Sequence, residues 1–481
     1  MRKKRFCRIA GVIAAFVVIA LLVSSLTSLT VWKTIYKEKD TFLDKAGDCD
    51  VLFFGNSRIR DSVFPMELWG EHGIAGYNLG FPGTSVQSSY WALMNALDYA
   101  QPELVVVESC HLSWTTEQAK PHVQSGMPVF PLSITKIRTA LDIFPPGDYS
   151  FEDTFSVLMP LSLFHSRWSE LEAEDFGGDK NNTLGACECV GAVRPVFDSG
   201  APADADYTKV EKNVNYMRRI AQACEERGIK LIFCYSPHPV TNTEKWEVSV
   251  AEETAEELGV RFVNFLETDT VDYGTDMFDT DSHLNISGGR KISRYWGNLL
   301  SEEYGIADHR GESGYSSWAE DYKRYLKEWE QRLSDDVFLN NSLLTLSYGR
   351  YSSLIHIPAG SELFEDELAM ELIENLAGEE LPGLRKAAET GEEYLLFTDR
   401  SAASSYEASG EDIYDAGRNI KLSSDRMKLS VGAQTYPLSL SGIPGEGDVR
   451  VFVFTPELEL IPECCHSFGL NADGVFDRTD Y

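Results

Sequence analysis

Two side chains far apart in the sequence have the chemistry of a nucleophile and its base. Ser57 closes the run VLFFGNS, in which a short apolar stretch reaches a Gly-Asn-Ser turn. His283 lies between acids and a glycine pair in MFDTDSHLNISGG. A serine hydroxyl needs a base to take its proton and a carboxylate to hold that base in the right tautomer. We expect Asp281 to supply this carboxylate, with Asp279 as the second candidate.

The segment YNLGFPGTS is the third element of the predicted site. Its glycines allow tight backbone turns near a ligand. The backbone N–H groups of Gly83 and Ser57 are therefore candidate donors to an oxyanion. We predict no metal and no organic cofactor. The CxC of Cys187 and Cys189 and the CCH at 464–466 lack a second ligand pair at zinc-site spacing, so we interpret them as structural.

Each residue also has a simpler explanation. A serine after a strand often only caps the next helix, and a loop histidine beside acids is often a surface residue or a metal ligand. An ordinary loop between a strand and a helix would explain Gly83. The order of the three segments and their places among the predicted elements favour a common site.

Alternating strands and helices place these segments in one α/β domain, predicted over residues 49–302. Apolar runs bounded by turn residues predict buried parallel strands at 50–54, 103–109, 228–236 and 260–267. Helical spacing follows at 210–224 and 244–258. Ser57 would then stand at the carboxyl edge of the sheet, where open α/β sheets bind ligands. Residues 113–206 break this rhythm and are either an insertion that caps the site, which we favour, or a peripheral excursion.

A membrane anchor is predicted before this domain. Residues 9–32 carry no charge, and such a stretch is long enough to cross a bilayer. The basic tail 1–8 places the N-terminus in the cytoplasm and the body outside, after a stalk at 33–48. A cleaved signal peptide is the alternative, although no clear cleavage site follows the apolar run.

The rest of the chain is predicted to hold a linker and a smaller domain. The segment 303–335 contains a charged helix with regularly spaced aromatic residues, and 336–481 has the pattern of an α+β domain. The formal net charge is −32, and eight of the basic residues precede position 40, so the body is more acidic still. This charge argues against nucleic acid as a partner.

Three motifs resemble those of the SGNH/GDSL hydrolase superfamily and occur in the same order along the chain as in that superfamily. They are GNSR with Ser57, NLGFPGTS with Gly83, and DSHLN with Asp281 and His283. The resemblance implies a three-layer, flavodoxin-like parallel sheet. It is closest to membrane-anchored proteins of Gram-positive bacteria that acylate surface polymers, of the D-alanyl transfer and alginate O-acetylation types. It implies a surface glycan or wall polymer as substrate and a membrane-bound O-acyltransferase as partner.

Two departures from the family pattern stand out. The acid that usually lies three residues before the histidine is replaced by Thr280, and the usual oxyanion asparagine has no counterpart in VVVESCHLSW. Glu108, Ser109 or His111 occupies that neighbourhood. We therefore expect an extracytoplasmic serine esterase or O-acyltransferase, with two alternatives. One is a weakly active scaffold that binds a glycan or an acyltransferase, and the other is a sensor or adhesin that acts through residues 336–481.

Overall fold

The computed structural model describes most of the chain after residue 37. The described residues are 38–176, 182–280, 282–348, 351–400, 403–408, 412–414, 420–422, 428–431, 434–437 and 449–479, with 15, 18, 19, 22, 23, 25–27, 29 and 30. They form two compact units. The first comprises 1–187, 198–268 and 293–318, and the second comprises 188–197, 269–292 and 319–481.

A five-stranded parallel sheet forms the centre of the first unit. Its strands are β1 (Val51–Gly55), β2 (Gly76–Gly80), β3 (Leu104–Glu108), β4 (Lys230–Tyr235) and β5 (Arg261–Asn264), in the order β2-β1-β3-β4-β5. Strands β1, β2 and β3 are buried along their whole length, because both faces of the sheet are covered. The α/β class predicted from the sequence is therefore present.

Helices and connecting segments surround this sheet. They are Phe42–Lys45, Ser57–Arg60, Pro65–His72, Val86–Ala96, Thr116–Gly126, Ile134–Ile143, Phe151–Leu158, Leu161–Phe164, Ala173–Phe176, Tyr207–Glu225, Asn242–Glu257 and Ile286–Glu302, the last of which begins in the second unit. Short 3-10 turns lie at Ala46–Asp48, Met127–Val129, His165–Glu170, Phe265–Glu267 and Ser313–Tyr315. Trp296 packs edge-on against Phe53 of β1, with ring centroids 5.9 Å apart.

Helix caps explain where several of these helices begin. Thr115 and Thr241 each form a capping box, with Gln118 and Glu244 respectively at the third helical position. These reciprocal bonds satisfy backbone N–H groups that the first helical turn leaves without partners. The predicted insertion 113–206 contains helices and no strand among its described residues.

The second unit contains two antiparallel sheets. One has the order β15-β14-β13-β6-β7-β8 and the other β12-β11-β10-β9. Their strands are Ser352–Ile357 (β6), Tyr394–Asp399 (β7), Ser404–Ala408 (β8), Asp412–Tyr414 (β9), Ile420–Leu422 (β10), Lys428–Val431 (β11), Gln434–Pro437 (β12), Val449–Phe454 (β13), His466–Leu470 (β14) and Phe476–Arg478 (β15). The helices are Ser316–Asp335, which begins in the first unit, Leu339–Tyr348, Glu367–Ala377 and Pro382–Thr390, with 3-10 turns at Glu362–Glu365 and Pro462–Cys464.

Most of the predicted anchor 9–32 lies outside the described residues. Within the part of the chain that is described, no helix is both long and apolar enough to cross a membrane. The described residues between 15 and 30 are helical, and Val18 and Leu22 have exposed fractions of 54% and 58%. The anchor itself stays a prediction.

Candidate active site

Ser57 is the first residue of the short helix that follows strand β1. Strand β1 ends at Gly55, and Asn56 caps the helix Ser57–Arg60, since its Oδ1 accepts a hydrogen bond of 2.8 Å from the Arg58 N–H. The capping role therefore belongs to Asn56 rather than to Ser57. The half-buried Ser57 stands at the carboxyl edge of the sheet. In this strand order the direction of the connections reverses between β1 and β3, which is where such sheets bind ligands.

The loop of Gly83 lies at the same edge of the sheet. Strands β1 and β2 pair Gly55 with Gly80 at their ends, and the Phe81 N–H donates to the Gly55 carbonyl at 3.0 Å. Gly83 has a φ of +60°, a backbone conformation that residues other than glycine rarely adopt. A Cβ at this position would also clash with the ring of His122. Ser57 and Gly83 therefore follow two paired strands, and the Gly83 turn requires glycine.

Glu108 occupies the end of β3, in the segment VVVESCHLSW. It is fully buried, and its Oε2 accepts from the Asn56 N–H at 3.2 Å while its Oε1 accepts from the Ser236 N–H at 3.4 Å. Gly55 makes this approach possible, because a Cβ there would lie 2.9 Å from Glu108 Oε2. The carboxylate thus connects the turns after β1 and β4.

His111 lies beside the Ser57 turn. The Asn56 side-chain amide lies 3.0 Å from His111 Nε2, and because the amide nitrogen is a donor, Nε2 accepts and the proton of the neutral ring is on Nδ1. The ring stacks on Trp114 with centroids 3.9 Å apart, and the residue has a φ of +54°. Burial, followed by the nearby Arg58 charge, lowers the pKa of His111 to about 3. The imidazole is therefore neutral at physiological pH.

A buried charged network supports this edge of the sheet. Arg58 donates to Glu244 Oε1 at 2.9 Å, and His238 Nε2 lies 3.1 Å from the same oxygen. Burial alone would raise the pKa of Glu244, but the contacts of His238, the Thr241 N–H and Arg58 hold it well below its usual range. This network was not predicted from the sequence. Its only sequence signal is the SPHP turn after β4.

The predicted base lies in the second unit and is hydrogen-bonded to an acid. His283 Nδ1 contacts Asp279 Oδ2, while Asp279 Oδ1 accepts from the N–H groups of Ser282 and His283 at 2.9 and 3.0 Å. Burial opposes ionisation of Asp279, but the His283 hydrogen bond and the two N–H groups lower its pKa to about 2. Asp279 is therefore ionised at neutral pH and holds His283 through Nδ1.

The loop that carries His283 is fixed by its own hydrogen bonds. Asn285 is fully buried, and its side chain caps the following helix. Its Oδ1 accepts hydrogen bonds from the N–H groups of Ser287 and Gly288. The Phe278 N–H donates to the His283 carbonyl at 2.9 Å. Asn285, the last residue of DSHLN, therefore has a structural role in positioning His283.

The structure describes the two halves of the predicted site separately. In the first unit, Ser57 and Gly83 share one sheet edge, and in the second unit His283 is bonded to Asp279. Asp281, the acid preferred from the sequence, lies outside the described residues. Four cysteines of the first unit are buried and have free thiols: Cys49, Cys110, Cys224 and Cys234.

Comparison with known proteins yields little. No protein-family model and no curated protein matches the chain. Among solved structures, the chain is similar to a protein from Bacteroides fragilis described as a "putative acylhydrolase", at 12% identity and a TM-score of 0.26, covering 53% of this chain and 86% of the other. A likeness of this size transfers no activity.

Proposed function

We propose that the chain is a serine esterase or O-acyltransferase of the SGNH type, with Ser57 as nucleophile and His283 as base. The observation that carries the proposal is the hydrogen bond between His283 Nδ1 and the ionised Asp279. With the ring proton on Nδ1, the lone pair of Nε2 is the one that accepts a serine proton. Asp279 is therefore our candidate for the orienting acid.

The chemistry balances without a cofactor. Ser57 Oγ attacks the carbonyl carbon of an ester while its proton passes to His283 Nε2, and the carbonyl oxygen becomes an oxyanion. Collapse of this intermediate breaks the ester bond, and the departing alcohol takes the proton from His283. The acyl group now on Ser57 passes to a second alcohol in a transferase, or to water in an esterase.

The oxyanion is proposed to bind the backbone N–H groups of Ser57 and Gly83. Support comes from their position after two paired strands and from the short helix that begins at Ser57. In other hydrolases the loss of one oxyanion donor costs about 3 kcal/mol of transition-state stabilisation. Glu108, at the end of β3, accepts from the backbone N–H groups of Asn56 and Ser236 and supplies no donor, so we expect slower catalysis than in a site with the usual asparagine.

We propose that this chemistry takes place outside the cytoplasm, on acyl groups of a surface polysaccharide or wall polymer. Residues 9–32 would anchor the chain, and a membrane-bound O-acyltransferase is the partner that the family resemblance implies. Support comes from the charge-free run itself and from the helical, apolar and exposed side chains among its described residues, including Ile19 and Leu26.

Covalent labelling of the detergent-solubilised full chain with a fluorophosphonate tests the nucleophile. We expect the wild type to be labelled at Ser57 and the variant Ser57→Ala to remain unlabelled. Ser150→Ala is the matched control, because Ser150 caps the helix Phe151–Leu158 and has no part in the proposed chemistry. The control should be labelled like the wild type.

Two outcomes would end the enzyme proposal. Absence of labelling in a folded wild type, or equal labelling of Ser57→Ala, would remove Ser57 as an activated nucleophile. The chain would then be better explained as an inactive SGNH scaffold that binds a glycan or an acyltransferase. Binding of an acetylated oligosaccharide, measured calorimetrically, would be the next measurement in that case.

A further inference from the structure

The segment 160–176 exposes two large aromatic side chains. Trp168 has an exposed fraction of 72% and Phe176 of 67%. The segment consists of short helical pieces, Leu161–Phe164, His165–Glu170 and Ala173–Phe176. Aromatic side chains bury large areas when they pack, so two exposed ones on a single short segment point to a partner surface.

Arg167 connects this segment to the end of the apolar run. Its Nη1 donates to the Thr30 carbonyl at 3.1 Å, and its Nη2 lies 3.6 Å from Asp175 Oδ1. The Arg167 side chain is 18% exposed and that of Asp175 only 4%. This hydrogen bond joins the segment to the backbone of Thr30. Trp168, the next residue, therefore lies close to Thr30.

Thr30 is the third residue from the end of the charge-free run 9–32. If that run spans a bilayer, the run ends at the boundary between the hydrocarbon and the headgroups. Tryptophan is enriched at this boundary, because its ring is amphipathic. Because Arg167 binds the Thr30 carbonyl, the adjacent Trp168 would then lie near the depth at which interfacial tryptophans are found.

We propose that the segment 160–176 lies on the external face of the membrane, with Trp168 and Phe176 inserted among the lipid headgroups. The inference rests on the anchorage proposed above and is independent of the proposed catalysis. It would give the sheet-containing unit a second attachment to the bilayer, beside the anchor helix.

The charges of the segment indicate which lipids it contacts. Glu170 and Glu172 are exposed beside Trp168, so an anionic surface would repel the segment. The contact is therefore apolar and interfacial rather than electrostatic. It should form on phosphatidylcholine and should weaken when anionic lipid is added.

Tryptophan quenching in the full chain tests the proposal. The protein is reconstituted into phosphatidylcholine vesicles whose acyl chains are brominated either near the headgroup or near the methyl end. The chain has nine tryptophans, so the signal of Trp168 is taken as the difference between wild type and Trp168→Phe. We expect lipid brominated near the headgroup to quench this signal at least twofold, and lipid brominated near the methyl end to quench it less.

Trp246→Phe is the matched control, since half-buried Trp246 lies in the helix Asn242–Glu257. The signal lost in that variant should not be quenched. An unquenched Trp168 signal in protein that floats with the vesicles and resists alkaline carbonate would overturn the membrane contact and favour a protein partner for this surface. Protein that does not float would overturn the anchorage and the contact together.

Discussion

Replacing Asp279 by asparagine is the most direct test of how His283 is positioned. Asparagine has nearly the same shape, and its Oδ1 still accepts the N–H groups of Ser282 and His283. What changes is the contact with His283 Nδ1, where a carboxylate now fixes the tautomer. With an amide, the ring is free to carry its proton on Nε2. A protonated Nε2 could not accept the serine proton in the proposed mechanism.

The structure indicates that catalysis should suffer far more than folding. The pKa of Asp279 falls from 3.8 to about 2, which corresponds to about 2.5 kcal/mol before screening. A third of the side chain is exposed, so we expect solvent to reduce this to about 1 kcal/mol. Loss of the tautomer, by contrast, lowers kcat by about 10⁴ in serine proteases, or roughly 5 kcal/mol. Asp279→Asn should therefore fold and be inactive.

The pH dependence of stability follows from the sign of the shift. Because the folded-state pKa lies below the unfolded value, the contribution of Asp279 is present above pH 4 and is lost as the pH falls towards 2. Wild type and Asp279→Asn should consequently differ by a constant, small amount in unfolding free energy between pH 5 and 8. Urea unfolding followed by circular dichroism measures this difference.

The assay is hydrolysis of p-nitrophenyl acetate together with the rate of fluorophosphonate labelling. Asp281→Asn serves as the paired variant, because Asp281 is the acid that the sequence favours. We expect a loss of about 10³-fold or more in Asp279→Asn and less than about threefold in Asp281→Asn. The reverse pattern would refute the reasoning from the His283 hydrogen bond and make Asp281 the orienting acid.

Two further predictions concern a glycine and a buried acid. Gly83→Ala should lose activity and lower the free energy of unfolding by about 2 kcal/mol or more, because it adds a clash with His122 to backbone strain. The control is Gly259→Ala, which should cost about 1 kcal/mol, because Gly259 has a φ of +65° but no atom within 4 Å of an added Cβ. Burial raises the pKa of Asp336 to about 7, so ionisation of this carboxyl destabilises the fold progressively as the pH rises from 4 to 7. Asp336→Asn should therefore raise Tm at pH 8, because it removes a penalty of up to about 4 kcal/mol. At pH 4 the same substitution should leave Tm nearly unchanged.

Elements with a strong local pattern were predicted well. Strands β3 and β4 lie inside the predicted runs 103–109 and 228–236, since both are continuous apolar stretches. The helix Ser316–Asp335 lies inside the segment 303–335, where a charged helix is predicted because aromatic residues repeat at helical spacing. The prediction of mixed α and β structure after residue 336 is likewise matched by the two antiparallel sheets.

Strand β2 was not predicted, because its stability comes from distant residues. Its sequence, GYNLG, places a polar residue in a fully buried strand. Asn78 is tolerated there because its amide donates to the carbonyls of Ile59 and Val63, both at 2.8 Å, and its Oδ1 accepts the Gly80 N–H. No local sequence pattern predicts these hydrogen bonds, because only the folded chain brings their donors and acceptors together.

The site residues chosen from the sequence stay predictions. Residue type and order suggest Ser57, Gly83 and His283 as candidates, since the proposed chemistry requires these groups. The geometry around them depends on contacts between segments far apart in the chain. The hydrogen bond from Asn56 to His111 joins residues 55 positions apart, and Arg58 meets Glu244 across 186 positions.

The left-handed backbone of His111 makes the loop after β3 open to redesign. A φ of +54° strains most side chains, but asparagine adopts this region several times more readily than most other residues. Replacing His111 by asparagine would therefore place an amide beside the Ser57 turn without a new backbone conformation. A protein engineer could introduce an amide donor after β3 by changing one side chain, because the main chain already has the shape that asparagine accepts.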